Sequence, residues 1–391
     1  MFNFDEIINR EDTRALKLEA RENLFSNKDV IPLWVADMDF AVFSAVKEAL
    51  LKRMNHPIYG YTIRPDAFFS SITGWLKRRF NWQVDKSWIE FSPGVVPNLG
   101  LAVQALTKPG EGIIIQPPVY PPFFGVVKDF DRNVVENPLV ETDNGYIPDF
   151  EHFEEVCSKP ENKLFIFCHP HNPVGRVWTV DELQKIGDIC RKNNVIIISD
   201  EIHADLVLFG HKHHPIASIS PEIADITVTC MAASKTFNLA GFSTSYMVVS
   251  NPGILKALRK QLQSLHLHMG NTFGALALEA AYNEGEKWLE ELKIYIEGNY
   301  NLVANYIEKY LPEVKISKLQ ATYLLWMDFR AWGMNQNELK NFMSHKAAIG
   351  LNDGRTFGKE GTGFMRMNLA SPRTVIEEAM NRIVTARKEM E

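Results

Sequence analysis

Apolar positions along the chain follow two rhythms. Where they recur every three or four residues they predict amphipathic helices; where they run unbroken for four or more residues and stop at small or polar residues they predict buried strands. The first rhythm predicts helices over Ser44–Met54, with Ala45, Val46, Ala49 and Leu50 on one face, and over Asp66–Phe80, with Asp66 as N-cap. His56-Pro57 ends the former. The same rhythm returns over Val95–Leu106, Ile254–Leu265, Gly274–Tyr282, Lys287–Tyr310, Asn337–His345 and Thr374–Lys388. A capping box, Thr179-Val-Asp-Glu182, opens another helix carrying Leu183, Ile186 and Ile189. The second rhythm predicts strands at Ile89–Gly94, Gly112–Gln116, Leu164–Cys168, Val195–Ser199 and from Ile226 towards Met231. Strand–helix alternation of this kind implies an α/β fold with a mostly parallel sheet. After Pro252 the order changes to helices followed by strands at Val314–Ser317, Tyr323–Asp328 and Gly363–Leu369, which predicts a smaller α+β domain. Residues 1–30 are polar and weakly patterned, and are expected to pack on the body or on a second subunit.

Composition narrows the partners. A length of 391 residues allows about two or three domains, and 46% apolar with 23% charged residues is ordinary for a globular enzyme. A net charge of −6 disfavours nucleic acid or anionic membrane as the main partner. The N-terminus, Met-Phe-Asn-Phe-Asp-Glu, lacks the basic region and apolar core of a secretory signal, and no apolar run is long enough to span a membrane. The four cysteines (Cys157, Cys168, Cys190 and Cys230) form no CxxC pair, which disfavours zinc and suits a reducing cytoplasm.

Candidate chemistry gathers at the carboxyl ends of strands, where open α/β sheets bind ligands. One strand breaks at Ser234-Lys235, a second ends in Asp200, a third runs through Cys168 to Asn172, and a fourth meets Ser92-Pro93-Gly94 before the helix that starts at Val95 and Val96. A lysine at such a mouth is either a solvated end or an amine whose pKa burial lowers. A helix start after Gly94 is either a plain turn or an anion site. Together the four groups suit pyridoxal 5'-phosphate (PLP): an amine for its aldehyde, an acid for its ring nitrogen, a donor for its ring hydroxyl and amides for its phosphate. Arg366 lies among alternating apolar residues, so it needs an anion, either a structural carboxylate or a substrate's. No metal is expected. Asp37 and Asp39 have no further ligands nearby, and His211, His213 and His214 read as a solvated loop. The glycines of Gly354–Gly363 do not fit a strand–GxGxxG–helix unit and read as a mobile loop.

The motifs Trp34–Phe40, Tyr59-Gly-Tyr61, Asn172-Pro-Val-Gly175, Ser199–His203, Ser234-Lys-Thr-Phe-Asn238 and Arg366-Met-Asn368 occur in an order that resembles fold-type I PLP enzymes, the class I/II aminotransferase superfamily. Within it the chain resembles C–S lyases of the cystathionine β-lyase (MalY/PatB) type, from about Ile31 to the C-terminus. The resemblance implies a large PLP-binding domain at 49–284 with a seven-stranded, mostly parallel sheet between helices. It implies a small domain at 285–391, with segment 1–48 packed on it. It further implies that Lys235 carries PLP and removes the substrate's Cα proton, that Asp200 keeps the ring nitrogen protonated, and that Asn172 reaches the ring hydroxyl. Tyr120 would stack on the ring and His203 orient Asp200 or the ring oxygen. Val95, Val96 and Ser234 would hold the phosphate, helped by Tyr61 of a neighbouring subunit in a homodimer. Arg366, Asn172 and Tyr120 would receive the substrate, with Trp34–Phe40 along the pocket entrance. Two positions depart from the superfamily: Ala232 and Ser243 stand where a phosphate-binding serine and an arginine are common. The implied reaction is α,β-elimination of L-cystathionine or other cysteine S-conjugates to a thiol, pyruvate and ammonia, in the cytoplasm. The residues themselves leave elimination and transamination of amino acids both open; the whole-chain resemblance favours elimination. A non-catalytic PLP-binding regulator would be expected to carry an added DNA-binding segment, which this acidic chain does not display.

Overall fold

Seven strands form the central sheet. They are β1 (Ile89–Ser92), β2 (Gly112–Ile115), β3 (Asn133–Glu136), β4 (Asn162–Cys168), β5 (Ile196–Asp200), β6 (Thr227–Met231) and β7 (Ser245–Val248). The computed structural model describes residues 2–143 and 145–390; Met1, Asn144 and Glu391 lie outside them. The strand order is β1-β7-β6-β5-β4-β2-β3. Every pairing from β6 to β3 is parallel, whereas β7 runs antiparallel to both β6 and β1. The sheet is therefore mixed but mostly parallel. Its strands are covered on both faces, which is why they read as continuous apolar runs rather than alternations. Ile113 and Ile115 pack with Val95, Leu99 and Val103 of one helix layer. Ile114, between them, faces the other way, towards Phe153, Leu183 and Ile186.

A second, antiparallel sheet has the order β8-β9-β11-β10, where β8 is Lys315–Ile316, β9 Leu324–Asp328, β10 Asn352–Asp353 and β11 Phe364–Asn368. Helices Glu286–Tyr310 and Arg373–Lys388 pack on each other beside it. Near the N-terminus, Ile31–Pro32 pairs in parallel with Ile349–Gly350.

Helices Ser44–Met54, Asp66–Phe80 and Val95–Leu106 have the predicted limits, and the Thr179–Glu182 capping box forms as read. Three local expectations are corrected. Pro65, not Asp66, occupies the N-cap; the Asp66 carboxylate instead takes the Lys86 ammonium at 2.7 and 2.8 Å. The helix predicted over Asn337–His345 is an α-helix only over Gln336–Asn341 and widens to a π turn at Phe342–Lys346. Gly354–Gly363 is no irregular loop but two 3-10 turns, Gly354–Phe357 and Lys359–Gly361. Their backbones touch: a Cβ on Gly354 would stand 2.1 Å from the Gly361 carbonyl oxygen, so these glycines serve close packing.

Candidate active site

The four strand ends converge. Beyond β1 the chain passes Pro93-Gly94 into the helix at Val95. Beyond β4 it turns through His169 to Asn172, β5 ends on Asp200, and β6 runs into the short helix Ala233–Thr236 that bears Lys235. They enclose a cavity of about 210 Å³. Val95, Val96, Tyr120, Asn172, Asp200, His203, Ser234 and Lys235 all line it. The helix at Val95 has no side-chain cap, so its first amides point at the cavity without a protein acceptor supplied by a cap.

Electrostatics follow from enclosure. Burial lowers the Lys235 amine to about 8, with the Arg366 charge adding to the shift and Asp37 and Asp200 opposing it. Its Nζ donates to the Ala36 carbonyl at 2.5 Å. Burial pushes Asp200 up to about 7, against the Ile202 amide, which donates to Oδ1 at 3.2 Å, and against Lys235. His203 is held neutral, near 3, by burial and then by the charges of Lys235 and Arg366. Its Nδ1 has no partner among the described residues.

Arg366 is not on the cavity wall itself but is tied to it. It donates from Nη1 to Asn172 Oδ1 at 3.0 Å, and from Nη2 to the Trp34 carbonyl at 2.9 Å and Asn352 Oδ1 at 2.6 Å. All three acceptors are neutral, and Nε has no partner among the described residues. A buried guanidinium met only by neutral oxygens, with its Nε–H unpaired among the described residues, is a site that still wants an anion.

Segment Trp34–Phe40 crosses this region as a strap held by main-chain bonds. Asn368 Nδ2 donates to the carbonyls of Val35 and Asp37 at 2.7 and 2.6 Å; Asn238 Nδ2 donates to those of Met38 and Phe40 at 2.9 and 3.3 Å. Tyr323 Oη donates to the Ala36 carbonyl at 3.1 Å, beside the Lys235 amine. The sequence offered no sign of this carbonyl, because an alanine advertises no chemistry. Thr244, which also lines the cavity, went equally unread, and Ser243, beside it, was read only as standing where an arginine is common.

Tyr61 is 98% exposed and does not line the cavity of its own chain. Asp37 and Asp39 take Arg10 at 2.7 and 2.6 Å and the buried Lys17, which donates to Asp39 at 2.6 Å. The reading of the histidine loop as solvated is overturned at His213. Its ring is buried, packs edge-on against Phe80, and bonds Glu201 at 2.7 Å. A buried carboxylate needs donors, and His213 supplies one. His211 alone of the three stays fully exposed.

The stretch 28–383 matches the family described as aminotransferase class I and II. The chain belongs to that family. Within it, the chain is 43% identical to cystathionine β-lyase PatB of Bacillus subtilis, over 98% of its own length and 99% of PatB. Among solved structures, it is similar to a PLP-bound protein of Clostridium difficile 630 provisionally named an aminotransferase, at 45% identity and a TM-score of 0.97, covering 99% of this chain and 100% of that one. It is also similar to the PLP-bound C–S lyase of Staphylococcus hominis in complex with L-cycloserine, at 32% identity and a TM-score of 0.92, covering 99% of each chain.

Proposed function

We propose that the protein is a PLP-dependent carbon–sulfur β-lyase that cleaves L-cystathionine or other cysteine S-conjugates to a thiol, pyruvate and ammonia. The observation that carries this reading is the enclosed amine of Lys235, lowered to about 8, on one cavity with Asp200 and within the field of Arg366. Elimination is favoured over transamination by the whole-chain likeness to a cystathionine β-lyase.

The donor set fits the cofactor. Lys235 Nζ would hold it, the Asp200 carboxylate would face its ring nitrogen, and Asn172 its ring hydroxyl. Tyr120 would flank its ring, His203 would stand beside Asp200, and the amides of Val95 and Val96 with Ser234 would receive its phosphate. PLP, when bound, supplies an electron sink for negative charge at the substrate's Cα. Arg366 binds the α-carboxylate through its free N–H, with Asn172 and Tyr120 fixing the substrate's orientation. Lys235 Nζ would take the Cα proton as general base. The Cβ–S bond would then break with its electron pair on sulfur, which takes up a proton to leave as the thiol, and water would convert the three-carbon fragment to pyruvate and ammonia.

The second reading is an aminotransferase, favoured by the name of the Clostridium difficile neighbour. It shares the first proton transfer and differs in where the proton returns. Mixing the PLP-loaded protein with L-cystathionine separates the two: equal yields of pyruvate and thiol, with the cofactor spectrum restored, are the lyase outcome. Conversion of the cofactor to its pyridoxamine form, reversed only by a keto acid, overturns it.

The protein is read as a homodimer whose sites are completed by Tyr61 of the other chain. Support comes from Ile58, Tyr59, Tyr61 and Ile63, all exposed along one segment. The division into 1–48, 49–284 and 285–391 is supported by the two separate sheets and by the pairing of Ile31–Pro32 with Ile349–Gly350. A cytoplasmic location is supported by four free, buried cysteines. No helix among the described residues is long and apolar enough to cross a membrane.

A further inference from the structure

Behind Asp200, on the side away from the cavity, lies a buried polar network that the proposed reaction leaves unused. Glu201 follows Asp200 and prolongs its strand, its amide donating to the Cys230 carbonyl at 2.9 Å. Successive strand residues point to opposite faces, so Glu201 turns inward where Asp200 turns to the cavity. Its carboxyl group is fully supplied with donors. Oε1 accepts from Ser199 Oγ at 2.9 Å and the Ile216 amide at 3.2 Å; Oε2 meets His213 Nε2 at 2.7 Å. The His169 ring lies 4.2 Å from that of His213, centroid to centroid, and its Nε2 meets the His214 carbonyl at 2.9 Å.

Donor and acceptor accounting sets the charges. His169 Nε2 faces a carbonyl and must carry the proton, so Nδ1, which has no partner among the described residues, is bare. His213 Nδ1 likewise has no partner. Were Glu201 the proton donor, His213 would carry its proton on that Nδ1, leaving a buried N–H unmade; an unmet ring lone pair costs less. Both imidazoles are then neutral, in keeping with burial holding each near 3. The other titratable groups in the field of Glu201 are Asp200, Cys230 and Tyr246, with Arg176 acting on His169. Burial pushes the Glu201 carboxyl up to about 7, opposed by His169, Ser199 and the Ile216 amide, so the group carries its charge above that pH.

We propose that Glu201 is a positioning residue for the cofactor: an anionic carboxylate, fixed by Ser199, Ile216 and His213, whose charge behind Asp200 keeps the proton on the ring nitrogen that Asp200 faces. This rests on the proposed PLP reading. A second negative charge so placed raises the proton affinity of the Asp200–nitrogen pair through the low-dielectric interior. The field of Glu201 pushes Asp200 upward in the same sense.

The test is ¹⁵N NMR of the ring nitrogen in holoenzyme loaded with ¹⁵N-labelled PLP, followed against pH. Glu201→Gln keeps size and most hydrogen bonding but removes the charge. Its ring nitrogen should hold the proton about tenfold less tightly, losing it about one pH unit lower than in the wild type. Ser199→Ala, which removes one donor to the carboxylate, should shift it the same way by less, and it decides the matter if Glu201→Gln takes up no cofactor. A nitrogen that titrates identically in wild type and variants, or stays protonated throughout in all of them, overturns the proposal even if turnover falls, because a merely structural role predicts lost cofactor and an unmoved titration. Wild-type protein that binds no PLP would instead sink the reading on which the proposal rests.

Discussion

The Lys235 amine donates to the carbonyl oxygen of Ala36, 199 residues earlier in the chain, at 2.5 Å. The group proposed to do the chemistry is thus moored to the strap at the pocket entrance rather than to its own strand. That carbonyl also receives Tyr323, and the strap on either side is bound by Arg366, Asn368 and Asn238. Amine, substrate anchor and entrance therefore share one scaffold, and a disturbance of the strap should register at each.

Enclosing this amine costs stability, and the cost has a pH signature. In the fold Lys235 titrates near 8 against an ordinary 10.5, so the unfolded chain binds the extra proton between those values. The penalty, on the order of 3 kcal/mol, is complete below pH 8 and relieved as pH rises towards 10.5. Lys235→Met apoenzyme should accordingly unfold at higher temperature than wild-type apoenzyme at pH 7, with the gap closing by pH 10. It should also show neither cofactor absorbance nor turnover. A variant no more stable than wild type at pH 7 would refute the penalty; one that turns over normally would refute the role of Lys235.

Arg366 offers an independent handle on substrate binding. Its neutral partners fix the guanidinium plane and leave Nε free, a geometry that lysine cannot copy. Hydrogen bonds to a charged group contribute roughly 1.5–3 kcal/mol. Arg366→Lys should therefore lower kcat/KM for L-cystathionine by about 10- to 100-fold, with most of the loss in KM. Steady-state kinetics at saturating PLP measure this, and an unchanged KM would detach Arg366 from the carboxylate.

Local physics explains what could be read from the chain and what could not. Ser44–Met54 and Val95–Leu106 were legible because their apolar periodicity and their breakers, His56-Pro57 and Ser92-Pro93-Gly94, are both local. Lys235, Asp200 and Asn172 were legible because each is an ionisable or amide side chain at the end of an apolar run. His213 was not: its Gly- and Lys-bearing neighbourhood looks solvated, and only the tertiary placement of Glu201 explains its burial. The Ala36 carbonyl left no trace because main-chain acceptors have no sequence signature. Gly354–Gly363 misled because glycine serves close packing as readily as looseness.

The strap's outer side is held by charge. Lys17 is fully buried, and its ammonium meets Asp39 at 2.6 Å and Asp37 at 3.5 Å. Burial alone would raise the Asp39 carboxyl, but Lys17, Ser371 and Arg10 outweigh it and hold it below the ordinary 3.8. The stabilisation is thus present above about pH 4 and lost as pH falls through the lower, folded-state value. Asp39→Asn leaves Lys17 without its nearest counter-charge and should cost roughly 3 kcal/mol or more at pH 7. Urea unfolding at pH 7 and pH 3 measures it: the deficit should shrink at the acid end. An equal deficit at both would mean that packing, not charge, holds the strap.

Tyr61 tests the assembly. Its ring is 98% exposed in the single chain, between exposed Ile58 and Ile63, and it has no contact with its own cavity. With Ala232 and Ser243 in place of the common serine and arginine, this chain supplies few side-chain donors for a phosphate, so a hydroxyl from a second chain would carry more weight here than elsewhere in the family. Tyr61→Phe removes one hydrogen bond to a charged acceptor and should raise the Kd for PLP by about tenfold while leaving the sedimentation coefficient that of a dimer. PLP loss on dialysis, read by absorbance, measures the first, and analytical ultracentrifugation the second. Unchanged PLP retention would remove Tyr61 from the site. A wild-type protein that sediments as a monomer and still holds PLP would remove the shared site altogether.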